Sequence, residues 1–289
     1  MRILLTGSKG QVGQCFKDRL PEDWELIATD SKTLDITDAG NVLNMVKTFE
    51  PDAVINTAAY TQVDKAESNA AKAFAVNASG TLNLARAAKA AGARFIHLST
   101  DYVFDGSHNS PIAEDCPPNP LNVYGQSKLA GELLALAEHT DTLVLRTSWV
   151  YSEYGHNFVK SMLKLGQEKN QIDMVADQTG CPTYAGDLAQ IIIAILQHAD
   201  ISRGLYHYSS GHALSWCEFA RQIFAVAGEQ NPHYRQVAVK AIRTADLPTQ
   251  ALRPAYTVLS SHALLKRLPA AVAPTPLAQT IQRLLAQQP

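Results

Sequence analysis

Arg2-Ile3-Leu4-Leu5-Thr6-Gly7-Ser8-Lys9-Gly10-Gln11-Val12-Gly13 opens the chain. An apolar run passes into glycines spaced GxxGxxG, and a helical pattern follows, so the order reads strand, tight turn, helix. Without Cβ atoms the backbone can turn sharply and approach a pyrophosphate at the positive start of the helix, and the last glycine allows helix and strand to pack closely. Gly7, Gly10, Gln11, Val12 and Gly13 are therefore candidate dinucleotide contacts. Asp30 falls at the end of the next apolar run, Glu25 to Thr29, where a carboxylate can accept hydrogen bonds from an adenosine ribose. It favours NADH by repelling a 2′-phosphate, whereas Lys9 and Lys32 are near enough in sequence to offset that repulsion, so both NADH and NADPH stay open.

Apolar runs at Ile3 to Thr6, Glu25 to Thr29, Ala53 to Thr57, Phe95 to Ser99 and Thr142 to Arg146 alternate with helical patterns such as Ala71 to Ala90 and Tyr124 to Glu138. That alternation predicts an α/β fold with a doubly wound parallel sheet of Rossmann type. After Arg146 the alternation weakens and prolines recur. The expected division is a dinucleotide-binding domain over 1–150 and a smaller, mainly substrate-binding lobe over 151–289. The latter carries helices at Trp216 to Val226 and Leu277 to Leu285. A strand-like run at Leu205 to Ser209 predicts that the chain rejoins the sheet there, so the two parts interleave. Small residues after the third strand, Ala58 and Ala59, with Tyr60 and Thr61, leave room for a cofactor, as does the Asp35-Ile36 turn.

The 289 residues are 46% hydrophobic and 18% charged, which excludes a disordered or fibrous chain. The formal charge is −2 and no basic face or charge run appears, which argues against nucleic-acid binding. Cys15, Cys116, Cys181 and Cys217 include no CxxC pair, so reduced packing thiols are expected rather than a metal or redox site. The first apolar run is too short for a signal peptide or membrane span. A soluble cytoplasmic protein without membrane partners is the expectation.

Tyr124 and Lys128 are four apart, which places them one turn apart on one helix face. Ser99-Thr100-Asp101-Tyr102 ends the fourth strand, and the carboxyl ends of parallel strands are where ligands bind. A ketone reductase needs an acid for the developing alkoxide, and a free tyrosine with a pKa of about 10 is a poor match to neutral pH. A neighbouring ammonium should lower that pKa and can also hold the nicotinamide ribose. Thr100, Tyr124 and Lys128 are thus the expected catalytic set.

These residues, with Val63-Asp64-Lys65-Ala66-Glu67, Val76-Asn77, Asp101-Tyr102-Val103-Phe104-Asp105-Gly106, Arg146-Thr147-Ser148-Trp149, Gly180-Cys181-Pro182-Thr183 and Arg253-Pro254, resemble the extended short-chain dehydrogenase/reductases. Within them, the likeness is to the dTDP-4-dehydrorhamnose reductase family over nearly the whole chain. The resemblance implies NAD(P)H-dependent reduction of the 4-keto group of dTDP-4-dehydro-L-rhamnose to dTDP-L-rhamnose. It implies cofactor contacts at Gly10, Gln11, Val12, Asp30, Asp35, Ile36, Ala59, Tyr60 and Thr61, and substrate contacts at Thr100 and Asp101, with Tyr102 beside them at the strand end. Trp149 would face the sugar, its alternative being a core residue. Arg253 would grip the diphosphate or else form a salt bridge between lobes, and Asn77 would brace a helix start or a water chain. Rival readings are a reductase of another nucleotide 4-ketohexose and a non-catalytic regulatory subunit, the latter disfavoured by the intact catalytic set. Some relatives dimerise through acidic side chains holding magnesium. Cys15 stands where one such glutamate would be, and a thiol is a poor magnesium ligand, so the expectation is no metal and a monomer or weak homodimer.

Overall fold

In the computed structural model, which describes residues 1–198, 201, 203–268 and 273–286, the glycine turn joins β1 (Arg2–Thr6) to α1 (Gln11–Lys17). There follow β2 (Glu25–Thr29), α2 (Ala39–Phe49), β3 (Ala53–Asn56), α3 (Thr81–Ala91), β4 (Arg94–Thr100), α4 (Val123–Glu138) and β5 (Thr142–Thr147). The second half contributes α5 (Phe158–Glu168), α6 (Ala185–Gln197), β6 (Gly204–His207) and α7 (Trp216–Gln230). A six-stranded sheet runs β6-β5-β4-β3-β1-β2, and every pairing in it is parallel. The chain therefore rejoins the sheet edge at β6, two residues earlier at its end than the expected Leu205 to Ser209.

Side-chain alternation along the strands feeds two cores. Ile3, Leu5, Ile55 and Ile96 face α1 and α6, with Leu188, Ile191, Ile192 and Ile195 against them. Leu4, Val54 and Phe95 point the opposite way, onto Val42 and Val46 of α2 and Leu84 and Ala88 of α3. Helices on both faces are what a parallel sheet of near-continuous apolar strands requires. Because α6 comes from the second half, the lobes share this first core. A separate cluster of Val159, Met162, Phe219, Ile223 and Phe224 fills the smaller lobe between α5 and α7.

The single helix expected over Ala71 to Ala90 is interrupted. Ala70–Phe74 gives way to a π-helical turn at Ala75–Gly80 before α3 begins. Two glycines mark the crowding that accompanies it. A Cβ on Gly80 would lie 2.7 Å from Ile36 Cγ1, and one on Gly131 of α4 would lie 2.1 Å from the Asn77 carbonyl oxygen. Periodicity alone does not register the extra residue of a π turn. No helix among the described residues is long and apolar enough to cross a membrane.

Candidate active site

The Gly7 to Gly13 turn is closed by backbone contact. Gly7 has φ +73°, and a Cβ there would sit 2.5 Å from the Ala58 backbone nitrogen, so only glycine lets β1 and β3 end side by side. Gly13 lets α1 pack closely on the segment that leaves β1. Its missing Cβ accommodates the Gly7 carbonyl and Ser8, at 2.6 and 2.7 Å. Behind the turn runs a cavity of about 590 Å³, lined by Gly7, Lys9, Gly10, Asp30, Asp35, Ile36, Ala58, Ala59, Tyr60, Thr61 and Lys72. It shares Gly10, Thr57, Ala59 and Thr61 with a second cavity of about 500 Å³. The two therefore form one trough across the carboxyl ends of the strands.

Asp30 lies in that trough engaged locally. Its carboxylate pairs with Lys9 and accepts the backbone N–H groups of Lys32 and Thr33 at 2.9 and 3.0 Å. These contacts, Lys9 foremost, hold its pKa well below the usual carboxylate range. Hydrogen bonds from the Thr37 backbone and hydroxyl likewise lower Asp35. Asn77 clamps the next segment: its side chain accepts from Tyr60 N at 2.8 Å and donates to the Tyr60 carbonyl and to Ser127 Oγ of α4. Asn77 thus braces the Tyr60 loop against α4, and not its own helix start.

Thr100, Asp101, Tyr124, Lys128 and Trp149 line the 500 Å³ cavity together with Gln11, Val12, Thr147 and His156. Asn122 caps α4 by accepting Gly125 N–H at 2.8 Å. A Cβ on Gly125 would meet the Tyr102 carbonyl at 2.1 Å, so the first turn of α4 presses on the end of β4. That contact sets Tyr124 beside Thr100. The buried Thr147 hydroxyl, which has no hydrogen-bond partner among the described residues, leaves a polar atom in the same wall for a ligand.

The electrostatics depart from expectation. Tyr124 is pushed up to about 12, chiefly by burial, while a hydrogen bond with Thr100 works in the opposite direction. The Lys128 Nζ donates to the Leu98 carbonyl at 2.7 Å and lies 3.4 Å from His97 Nε2. Its own pKa is lowered to about 8 by burial. Burial also raises Asp101 to about 6, and that carboxylate, when ionised, further opposes ionisation of Tyr124.

Trp149 carries a φ of +46°, a backbone conformation rare for a bulky residue. Its indole stacks on Trp216 of α7 with centroids 3.4 Å apart and planes 5° apart, and Gly180 leaves the space it occupies. Tyr102 and Arg253 are not among the residues lining either cavity. Tyr102 stands edge-on to Tyr124, with ring centroids 5.7 Å apart. Arg253 is committed to Asp64 at 2.6 Å and to the Ala251 carbonyl, the salt-bridge alternative to gripping a diphosphate. Sequence reasoning missed His97, Glu132 and Trp216. The signals available were a histidine inside an apolar strand and a glutamate on the Tyr124-Lys128 helix face.

Among the described residues, no three His, Cys, Asp or Glu side chains are grouped to hold a metal ion. Cys15 is fully buried, and burial pushes its thiol up to about 12.

The family model described as RmlD substrate binding domain matches residues 1–288. A dTDP-4-dehydrorhamnose reductase of Sinorhizobium fredii is 41% identical over 90% of this chain and 88% of its own length. A solved dTDP-4-dehydrorhamnose reductase from Clostridium acetobutylicum superposes with a TM-score of 0.92 at 35% identity, covering 99% of both chains. One from Bacillus anthracis, solved in complex with NADP, gives 0.89 at 36% identity, again over 99% of both. With sequence relatives, solved folds and a family model all agreeing along almost its full length, this chain belongs to the RmlD, or dTDP-4-dehydrorhamnose reductase, family.

Proposed function

We propose that the protein reduces the 4-keto group of dTDP-4-dehydro-L-rhamnose to give dTDP-L-rhamnose, using NADPH or NADH. The carrying observation is that Thr100, Tyr124 and Lys128 share one wall of a cavity continuous with the glycine-turn trough. The trough fits a dinucleotide: Gly7 and Gly10 bring bare backbone to its floor, and Lys9 and Lys72 supply positive charge beside Asp30. Gly10, Gln11, Val12, Ala59, Tyr60 and Thr61 would hold the cofactor, which when bound supplies the hydride.

Tyr124 acts as the general acid, giving its phenolic proton to the oxygen that becomes an alkoxide. A phenol raised to about 12 keeps that proton at neutral pH and yields it only to a stronger base. Thr100 donates a hydrogen bond to the same oxygen and orients it. Lys128, one turn along α4, stabilises the phenolate left behind and offers donors to ribose hydroxyls. Trp149 presents an indole face to the apolar side of the sugar. The cofactor is held mainly by residues 1–150 and the sugar mainly by 151–289, the latter interleaved through α6 and β6. The enzyme works in the cytoplasm on a nucleotide sugar, as a monomer or weak homodimer. Mixing the pure protein with dTDP-4-dehydro-L-rhamnose and each reduced cofactor tests the assignment. Cofactor oxidation with formation of dTDP-L-rhamnose is expected; none with either cofactor would overturn it, and faster turnover of another nucleotide 4-ketohexose would reassign the sugar.

A further inference from the structure

His97 lies in the middle of β4 and is wholly buried, yet both of its ring nitrogens face polar neighbours. Their roles follow from Asn56. The Asn56 side-chain oxygen accepts from Thr6 Oγ1 at 2.8 Å and from Ala58 N at 3.1 Å, and a backbone N–H can only donate. That fixes the other end of the amide as a donor, directed to Thr81 Oγ1 at 3.3 Å and His97 Nδ1 at 3.1 Å. Nδ1 must accept, so in the neutral ring the proton resides on Nε2. Burial and the nearby Lys128 charge both keep the ring neutral. The Nε2–H then points at Lys128 Nζ, 3.4 Å away. An ammonium has no lone pair with which to accept that hydrogen, whereas an amine has one.

We infer that His97 is a positioning residue for the reduction, acting through Lys128: locked in its Nε2–H form by Asn56, it favours the amine form of Lys128 and lowers the pH at which that lysine gives up its proton. The chain of bonds starts at Ala58, in the cofactor trough, and ends at the lysine beside Tyr124. Among the described residues, the titratable groups that act on Lys128 or line the cavity with it are Tyr124 and Glu132 on its own helix, His97 on β4, and Asp101 and His156. Glu132 favours the ammonium, but Arg146 of β5 holds its carboxylate at 2.7 Å. His97 is the one whose hydrogen bond discriminates between the two forms of the lysine. This inference rests on Tyr124 and Lys128 being the catalytic pair.

Two measurements test it. In wild-type protein with ¹⁵N-labelled histidine, assigned through the backbone, two-bond ring correlations should show His97 protonated at Nε2 and bare at Nδ1 from neutral to alkaline pH. His207 supplies an internal contrast, because its Nδ1 faces the Ile112 carbonyl and its Nε2 faces Arg146. A proton on His97 Nδ1 would overturn the inference without any reference to activity or to variants. The second measurement is the pH profile of kcat/KM. The wild-type rate should fall on the alkaline side as Lys128 deprotonates near 8. In His97→Gln, whose amide oxygen can accept from Nζ, that fall should move up by about one pH unit, the change expected when a neighbouring dipole switches from opposing a charge to favouring it. A folded His97→Gln protein with an unmoved alkaline limb would also overturn it. Should that variant fail to fold, the Lys128 ζ-nitrogen is titrated in the wild type, where a midpoint near that of a free lysine would count against the inference. Activity retained in Tyr124→Phe would instead fault the catalytic assignment and leave the tautomer result standing.

Discussion

At Tyr124, burial outweighs every stabilising contact, and the consequence is a phenol that remains protonated across the neutral range. Removing its hydroxyl should separate chemistry from binding. Tyr124→Phe is expected to lower kcat by roughly two to four orders of magnitude, the range for loss of a positioned acid, while the cofactor dissociation constant stays unchanged in a fluorescence titration. Wild-type turnover by the phenylalanine variant would refute the assignment. Asp101, which lines the same cavity as Tyr124, invites a stability measurement. Its pKa rises from 3.8 to about 6 through burial. Between those values the folded protein holds a proton that the unfolded chain has released, so this group's contribution to stability declines as pH rises through that window. Asp101→Asn should flatten that part of the curve and melt higher than wild type at pH 7. A variant whose melting temperature tracks the wild type from pH 4 to pH 7 would show that the carboxyl stays ionised throughout.

Between elements, two contacts hold the site in shape. Glu132 of α4 and Arg146 of β5, 1% and 2% exposed, meet through Arg146 Nε and Nη2, and Ser99 at the end of β4 donates to the same carboxylate. Breaking such a pair strands a charge in the interior. Arg146→Met is expected to cost about 3–5 kcal/mol in urea unfolding, whereas replacing both partners with apolar residues should restore much of it. If the single and double variants were equally unstable, packing rather than charge would be the main contribution. The second contact is the ladder of Trp149, Trp216 and Phe158, which fixes an indole on a left-handed backbone at the cavity wall. Trp216→Leu takes away the face on which Trp149 stacks, together with the ring contacts to Phe158 and Phe219, and Trp216 itself lies outside the cavity lining. An aromatic pair contributes about 0.5–1.5 kcal/mol beyond area burial, so KM for the sugar should rise roughly two- to tenfold with KM for the cofactor little altered. Equal increases in both would mean the ladder supports the fold in general and not the sugar wall.

Across the whole molecule, what the sequence made legible was whatever obeys a local period. Alternating apolar runs located β1 to β5 within a residue or two, and the glycine spacing located the turn, because each depends on neighbours close in the chain. What stayed hidden depends on partners far apart in sequence. His97 has meaning only beside Asn56 and Lys128, Trp216 only beside Trp149, and Arg253 shows its partner, Asp64, 189 residues away, only once folded. The π turn at Ala75–Gly80 was hidden for a different reason, since one extra residue in a helix leaves its composition unchanged. Gln11 joins both classes: its place in the glycine turn was plain, but its partners were not. Its amide donates to the Val150 carbonyl at 3.1 Å and accepts from Ser152 Oγ and Asn157 Nδ2 at 3.1 and 2.9 Å. The turn that floors the trough is thereby tied to the segment following Trp149, in the other lobe. Gln11→Ala leaves those donors with fewer partners, at a cost of about 1–3 kcal/mol. The loss should appear in sugar binding as well as in stability, because Val150 adjoins Trp149 in the cavity lining. Saturating cofactor, at a hundredfold over its dissociation constant, should stabilise the wild type by about 2.7 kcal/mol. In the variant, cofactor bound first should improve sugar affinity less than it does in the wild type, since the side chain that ties the glycine turn to the segment following Trp149 is gone. Isothermal titration of the sugar with and without bound cofactor measures that coupling directly, and an identical coupling in both proteins would mean the lobes communicate by some route other than Gln11.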